Sequence, residues 1–255
     1  MRTIAIGNAA GSAGKTTSAV TLAALVAQTG QRVLLIDADA QGTATHWCGI
    51  TVGEGQATIA DLLLGTATIG DVIVSTAVEG LLLVPAAADL EPTMVEIERK
   101  RGAELRLRKA LDGYTQADVV IIDCPGAVST LTVSALVVAD AAITVTQPTV
   151  KEIQGISRYA DTVTDVADLY QRTGLERRAI IPCIVPPKTA GQLYSDGLQL
   201  LTDTWPDLVT PTIRRTVRVP ESHAHGTPLP VWDPNGDVTG DYRSVLAWLT
   251  ERGVL

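Results

Sequence analysis

Cysteine and lysine are scarce in this chain, and long apolar runs are missing. The three cysteines, Cys48, Cys124 and Cys183, are far apart and odd in number, with no C-x-x-C pair. That spacing argues against a disulfide framework and against iron–sulfur or zinc clusters. Cys124 and Cys183 sit in apolar runs and are expected to be small core residues. No stretch approaches the roughly 18–20 consecutive apolar residues of a membrane span, and the first residues show no charged-then-apolar leader, so a cytoplasmic protein is expected. There are no repeats, low-complexity tracts or linkers. With 255 residues, 46% of them hydrophobic, the chain is expected to be one domain over residues 1–255 with a full core. Basic residues are in deficit: 20 Lys and Arg face 28 Asp and Glu, a formal net charge of −8. Histone-like basicity is excluded, but a local nucleic-acid patch is not, because only the contacting face must be positive.

What is present starts at Gly7 to Thr17, GNAAGSAGKTT, between the apolar run Ile4 to Ile6 and a helical pattern over Thr16 to Gln28. Strand, glycine-rich loop and helix in that order turn backbone N–H groups and a helix N-terminus toward one point, which suits a polyphosphate. Lys15 would reach the β- and γ-phosphates, the Thr16 hydroxyl would sit on Mg²⁺, and Thr17 is placed to help at the α-phosphate. The strict pattern G-x-x-x-x-G-K-[ST] is not met, since Ala9 stands where its first glycine belongs; Gly11, Gly14, Lys15, Thr16 and Thr17 remain. The plainer alternative is a tight turn of small residues with a solvated lysine.

Downstream, Val33–Ile36 reads as a strand buried on both faces and ends in Asp37-Ala38-Asp39-Ala40-Gln41-Gly42. Carboxylates there lie where open α/β sheets hold their ligands, although alone they would read as a solvated turn. Leu81–Val84 is a further strand. Glu91 to Leu111 predicts one long helix, and its cluster Arg99-Lys100-Arg101 with Arg106, Arg108 and Lys109 reads as a solvated face or, alternatively, a binding surface. Val119 to Ile122 followed by Asp123 has the Walker B form, a buried strand presenting a carboxylate beside a phosphate loop. A helix over Leu131 to Val138, strands at Ala142–Thr146 and Ala179–Val185, a helix from about Val150 and a closing helix over Asp241 to Thr250 complete the pattern. Strands alternate with helices, so the expected class is α/β: a doubly wound, mostly parallel sheet.

Together the loop, DADAQG, IIDCPG and the C-terminal region resemble the ParA/MinD family of deviant-Walker P-loop ATPases, in particular its ParA branch. The family's motifs read roughly KGGxGKTT, DxDPQGN and IDxPP. Its tail is matched here by Thr212 to Glu221, His225-Gly226-Thr227-Pro228, Asp233-Pro234 and Gly240-Asp241-Tyr242. The resemblance covers nearly the whole chain. It implies a slow ATPase that dimerises with ATP, binds DNA non-specifically on the nucleoid and is stimulated by a ParB-like or adaptor partner protein to segregate plasmid, phage or chromosomal DNA. Carboxysome or organelle positioning, or a MinD-like membrane-bound role, are the alternatives within the family. By the same resemblance, nucleotide contacts fall on Gly11, Ser12, Ala13, Gly14, Lys15, Thr16, Thr17 and Pro186. Mg²⁺ falls on Thr16, with Asp37 and Asp123 acting through water, and Asp39 positions the attacking water.

Three positions depart from the family: Ala10 replaces the lysine that normally crosses the dimer, Ser12 replaces a glycine, and Ala40 replaces a proline. Among the chain's five lysines, Lys151 follows a strand end at the ligand edge and is the candidate for the missing catalytic cation; an ordinary surface lysine is the other reading. Between Arg172 and Arg218 seven basic residues outnumber four acids, and Lys188, Arg214, Arg215 and Arg218 are the DNA-contact candidates, Arg214, Arg215 and Arg218 falling where ParA relatives place such arginines. The first strand begins near Thr3, which leaves no helix-turn-helix extension and makes operator-specific autoregulation unexpected. A MinD-type membrane helix would need a basic amphipathic terminus, but Tyr242–Leu255 carries only Arg243 and Arg252. There is no N-K-x-D guanine motif, which argues against a GTPase. His223 and His225 lack a third ligand, and the Asp233–Asp237 stretch fails as a calcium loop. A nucleotide-gated scaffold without turnover is the non-enzyme alternative.

Overall fold

A computed structural model describes residues 1–8, 14–187, 189 and 191–255. The expected contacts at Gly11, Ser12, Ala13 and Lys188, and the departure at Ala10, lie outside the described residues. Among the described residues seven strands form one sheet: β1 (Arg2–Gly7), β2 (Val33–Asp37), β3 (Val74–Ser75), β4 (Leu81–Val84), β5 (Val119–Asp123), β6 (Ala141–Thr146) and β7 (Glu176–Pro182). Their order is β3-β4-β2-β5-β1-β6-β7, and only β3 runs antiparallel to its neighbour.

Every residue of β2, β5 and β6 is buried. Helices cover both faces of the sheet, so these strands are continuous apolar runs rather than alternating ones. On one face lies the Lys15–Gln28 helix, whose Ala19, Ala23 and Ala24 let it sink between the sheet and the closing Asp237–Glu251 helix. From that closing helix Tyr242, Val245 and Leu249 point into the same core. The opposite face is covered by the Thr130–Val138 and Val150–Leu169 helices, with Leu136, Tyr159 and Val163 in its core. No helix among the described residues is long and apolar enough to cross a membrane.

The closing helix begins at Asp237 rather than Asp241, the Gln192–Thr204 helix has no counterpart in the sequence pattern, and two further elements have other limits than expected. The expected long helix over 91–111 is three pieces: Leu90–Glu98, a single 3-10 turn at Ala103–Leu105, and Arg106–Ala110. Gly102 breaks it with φ 73°, a left-handed conformation that no helix interior accommodates. The apolar spacing runs on across the break because Ile97 and Leu107 enter the same core. β7 starts at Glu176 rather than Ala179, since an edge strand tolerates the polar Glu176-Arg177-Arg178, and it ends at Pro182 rather than Val185. Beyond the strand Val185 makes only an isolated bridge to Arg214.

Candidate functional site

β1, β2 and β5 are adjacent, and their carboxyl ends open on one edge of the sheet. The Lys15–Gln28 helix begins at that edge. Its N-cap, Gly14, has φ 90° and ψ 20°, a left-handed entry that glycine takes without strain. No side chain among the described residues caps this helix, and its first turn carries no acid. Its leading N–H groups and the positive end of its dipole suit an anion at this sheet edge. Lys15 sits there almost completely buried, and its charge acts on Asp123.

Asp37 and Asp123 end neighbouring strands and are paired in register across β2 and β5, both with no exposed surface. Asp37 is tied down: its Oδ2 accepts the Thr45 N–H at 2.8 Å and the Thr45 hydroxyl at 2.7 Å, and its Oδ1 accepts the Asp39 N–H at 3.2 Å. Burial nevertheless pushes its carboxyl up to about 6. Asp123 differs in that neither carboxylate oxygen has a well-formed hydrogen bond among the described residues. Burial raises it well above the carboxylate range, and the Asp37 charge raises it further; the Thr16 hydroxyl and Lys15 pull against that shift.

Two buried carboxylates with unfilled acceptor capacity, beside a threonine hydroxyl, fit a hard divalent cation that takes its remaining ligands from water and phosphate. Among the described residues no group of three His, Cys, Asp or Glu could hold a metal by itself. The donor set thus suits a magnesium–nucleotide complex better than a cage made of protein alone. Asp39 lies half-buried on the loop that follows, where its Oδ1 accepts the Gln41 N–H at 3.0 Å.

Beside Gly14 a cavity of about 210 Å³ is lined by Thr17, Cys183, Ile213, Arg215, Pro220 and Tyr242, among others. It is mostly apolar with a few polar groups at the rim, as expected for a planar base rather than for phosphates. Seven of its eleven lining residues come from the tail motif, which the structure shows to be a fastening. Arg214 grips Asp241 with two parallel bonds of 2.7 and 2.9 Å and reaches Asp237 at 2.8 Å. One residue on, the Tyr242 hydroxyl lies 3.1 Å from Ser18 Oγ on the phosphate-loop helix. The strands, the first helix and the tail therefore meet at one point.

The other expected residues are spread more widely. Pro186 is half-buried just past Val185. Lys151 is exposed in the first turn of the Val150–Leu169 helix, which follows β6 at the same sheet edge. Arg218 is held by Glu221 at 3.1 Å and Asp233 at 3.6 Å, so Arg214 and Arg218 each already face carboxylates, whereas Arg215 is exposed with no ion pair among the described residues. His223 packs edge-on to His46 and Trp47, while His225 stacks on Trp232, so the two imidazoles have separate partners. Sequence reasoning missed Thr45, Ser18 and Cys183 as parts of this site. Their hydroxyls and thiol carry no spacing signal, and only the fold brings them together.

Comparison with known proteins adds four likenesses. Residues 1–175 match the family model described as an AAA domain. The chain is 34% identical over 242 residues to the chromosome partitioning protein ParA of Caulobacter vibrioides, covering 91% of this chain and 88% of that one. Its fold matches an ATP complex of Cyanothece McdA with TM-score 0.88 at 23% identity, over 98% of this chain and 96% of that one. It also matches cobyrinic acid a,c-diamide synthase of Mycobacterium smegmatis with bound ADP and magnesium, TM-score 0.84 at 26% identity, over 99% and 95%.

Proposed function

Since the chain belongs to the ParA/MinD family of P-loop ATPases, we propose that it is an ATP-dependent, dimerising ATPase that positions DNA or another cargo with a partner protein. The observation that carries this reading is the fully buried Asp123 carboxylate, which has no well-formed hydrogen bond among the described residues, set against Asp37 and under the charge of Lys15 at a helix N-terminus that no described side chain caps. Phosphoryl transfer to water asks a protein mainly for positioning and for neutralising negative charge. Lys15 and the amides at Gly14 to Thr17 do the neutralising, with Gly11, Ser12 and Ala13 assigned to the same loop. Thr16 would hold Mg²⁺ directly, with Asp37 and Asp123 acting through its water ligands. When bound, that ion supplies charge compensation between the terminal phosphates. Asp39, one loop turn from Asp37, orients the attacking water. The base occupies the cavity beside Gly14, with Pro186 flanking it.

Lys151 would supply the cation absent at Ala10, reaching from one copy of the chain toward its partner's nucleotide. Non-specific DNA contact would fall on Arg215 first, with Lys188, and with Arg214 and Arg218 to the extent that their carboxylates release them. The protein would then act on the nucleoid, and with a ParB-like or adaptor partner. Calorimetry with Mg-ATP, combined with light scattering for mass, tests the core of this reading. Wild type should bind and pair, while Lys15→Ala should do neither. Absence of heat for the wild type, or unchanged binding and pairing by Lys15→Ala, would overturn it.

A further inference from the structure

Six of the chain's 20 basic side chains fall between residues 99 and 109, and the function proposed above uses none of them. The break at Gly102 folds this segment round a groove of about 730 Å³ that shares no lining residue with the cavity beside Gly14. The groove lies between the end of the Ile59–Leu64 helix and the Arg106–Ala110 helix. Ala67, Ile69 and the exposed Leu105 give it an apolar lining, and Arg101, Arg106 and Lys109 border it. Arg101 and Lys109 are exposed, and among the described residues neither has a carboxylate within ion-pair distance, in contrast to Lys100, which Glu96 holds. Asp112 is the one acid among the lining residues.

We propose that this groove docks an acidic amphipathic segment of a partner protein, with apolar side chains against Leu105 and Ile69 and carboxylates against Arg101 and Lys109. Charge complementarity selects the occupant: a local excess of cations on a chain of net charge −8 attracts an acidic segment and repels a basic one. The shape favours a peptide over a nucleic acid. Duplex backbone is bound by cations that can reach its phosphates from an open face, whereas these cations border a concavity whose lining is half apolar.

Arg106 links the groove to the interior. Its Nη1 donates to the Leu63 and Leu64 carbonyls at 2.9 and 3.1 Å, closing the end of the Ile59–Leu64 helix. At the other end of that helix the Ile59 N–H bonds to the Pro85 carbonyl at 2.9 Å. The next residue, Ala86, donates its N–H to the Thr45 hydroxyl at 3.0 Å, and that hydroxyl donates to Asp37 at 2.7 Å. A segment seated in the groove therefore touches a bonded connection that ends on the site's own carboxylate. Any influence of docking on nucleotide affinity rests on the function proposed above and must be reciprocal; the docking itself does not depend on it.

Fluorescence anisotropy tests the docking on the full chain without nucleotide, so its failure is separate from failure of the ATPase reading. The probe is a labelled helical peptide with leucine on one face and glutamate on the other. Binding is expected at low salt, declining as salt rises. The double substitution Arg101→Glu with Lys109→Glu should weaken it about tenfold, and Leu105→Ser should also weaken it, with melting temperatures and nucleotide binding unchanged. No binding by the wild type would overturn the proposal. So would equal binding of a scrambled peptide of the same composition, or displacement of the probe by duplex DNA whose own binding falls with the same substitutions.

Discussion

Replacing Asp123 with asparagine gives the most direct test of how the site's carboxylates are held. In the nucleotide-free protein Asp37 and Asp123 face each other fully buried at the ends of β2 and β5. A carboxyl whose folded-state pKa is raised binds its proton more tightly when folded. The stability that this proton gives is complete below about pH 4 and is lost as pH climbs through the raised value. For Asp37 that value is about 6, and lifting a carboxyl there from ~3.9 corresponds to on the order of 3 kcal/mol. Asp123 is raised as well, first by burial and then by its neighbour's charge. The Asp123→Asn variant has no proton to lose at that position and no charge to set against Asp37. Its buried amide is unsatisfied, at a cost of ~1–3 kcal/mol, but that cost is the same at every pH. The stability difference between variant and wild type should therefore move in the variant's favour as the pH rises from about 4.5 to about 8. Urea unfolding across that range, with a chelator and without nucleotide, measures it. Exposed carboxylates such as Asp118, held down to about 2 by the Arg32 guanidinium, titrate alike in both proteins and cancel. Adding Mg-ATP at about a hundred times its Kd should stabilise the wild type by ~2.7 kcal/mol and the variant hardly at all. A difference that stays flat with pH would show that the two carboxyls do not share the site as described.

Further outcomes follow from other parts of the fold. Lys151→Ala should lower DNA- and partner-stimulated phosphate release by on the order of 10³ while Mg-ATP binding persists; wild-type turnover with normal pairing would remove Lys151 from the mechanism. Arg215→Glu should reduce ATP-dependent retention on DNA at low salt without changing the melting temperature. Arg214→Ala should instead cost about 1 kcal/mol of stability through loss of its paired bonds to Asp241. Gly197→Ala drives a Cβ into the Pro148 carbonyl oxygen, so a loss of about 2 kcal/mol or more in denaturant unfolding is expected, with the Gln192–Thr204 helix shifted off its seat.

The sheet was legible wherever burial on both faces makes a strand one unbroken apolar run. Val119–Asp123 and Leu81–Val84 have the predicted limits, and Val33–Ile36 extends by one residue to Asp37. Legibility failed where a single backbone conformation outweighs periodicity, as at Gly102, and at the sheet edge, where the solvent-facing Glu176 and Arg178 need no apolar pattern. The Gln192–Thr204 helix escaped notice because few of its residues are buried; Gly197 and Leu201 carry most of its seat. Within the site, the expected carboxylates are brought together because they end adjacent strands, and strand ends can be read from sequence. Thr45 was not legible, since its role depends on a short helix turning back onto Asp37. The arginines of the tail were expected to face DNA, and no spacing reveals that Asp241 and Asp237 come within reach of Arg214 across the fold.

The bond between the Tyr242 and Ser18 hydroxyls joins residues 224 positions apart. Seven of the residues that line the cavity beside Gly14, from Ile213 to Pro220 and then Tyr242, are also among the last to leave the ribosome. On the function proposed above, a nascent chain would present its first strands long before this wall exists. Capture of nucleotide would then wait for the final helix to dock, and loading would become a late checkpoint on complete folding.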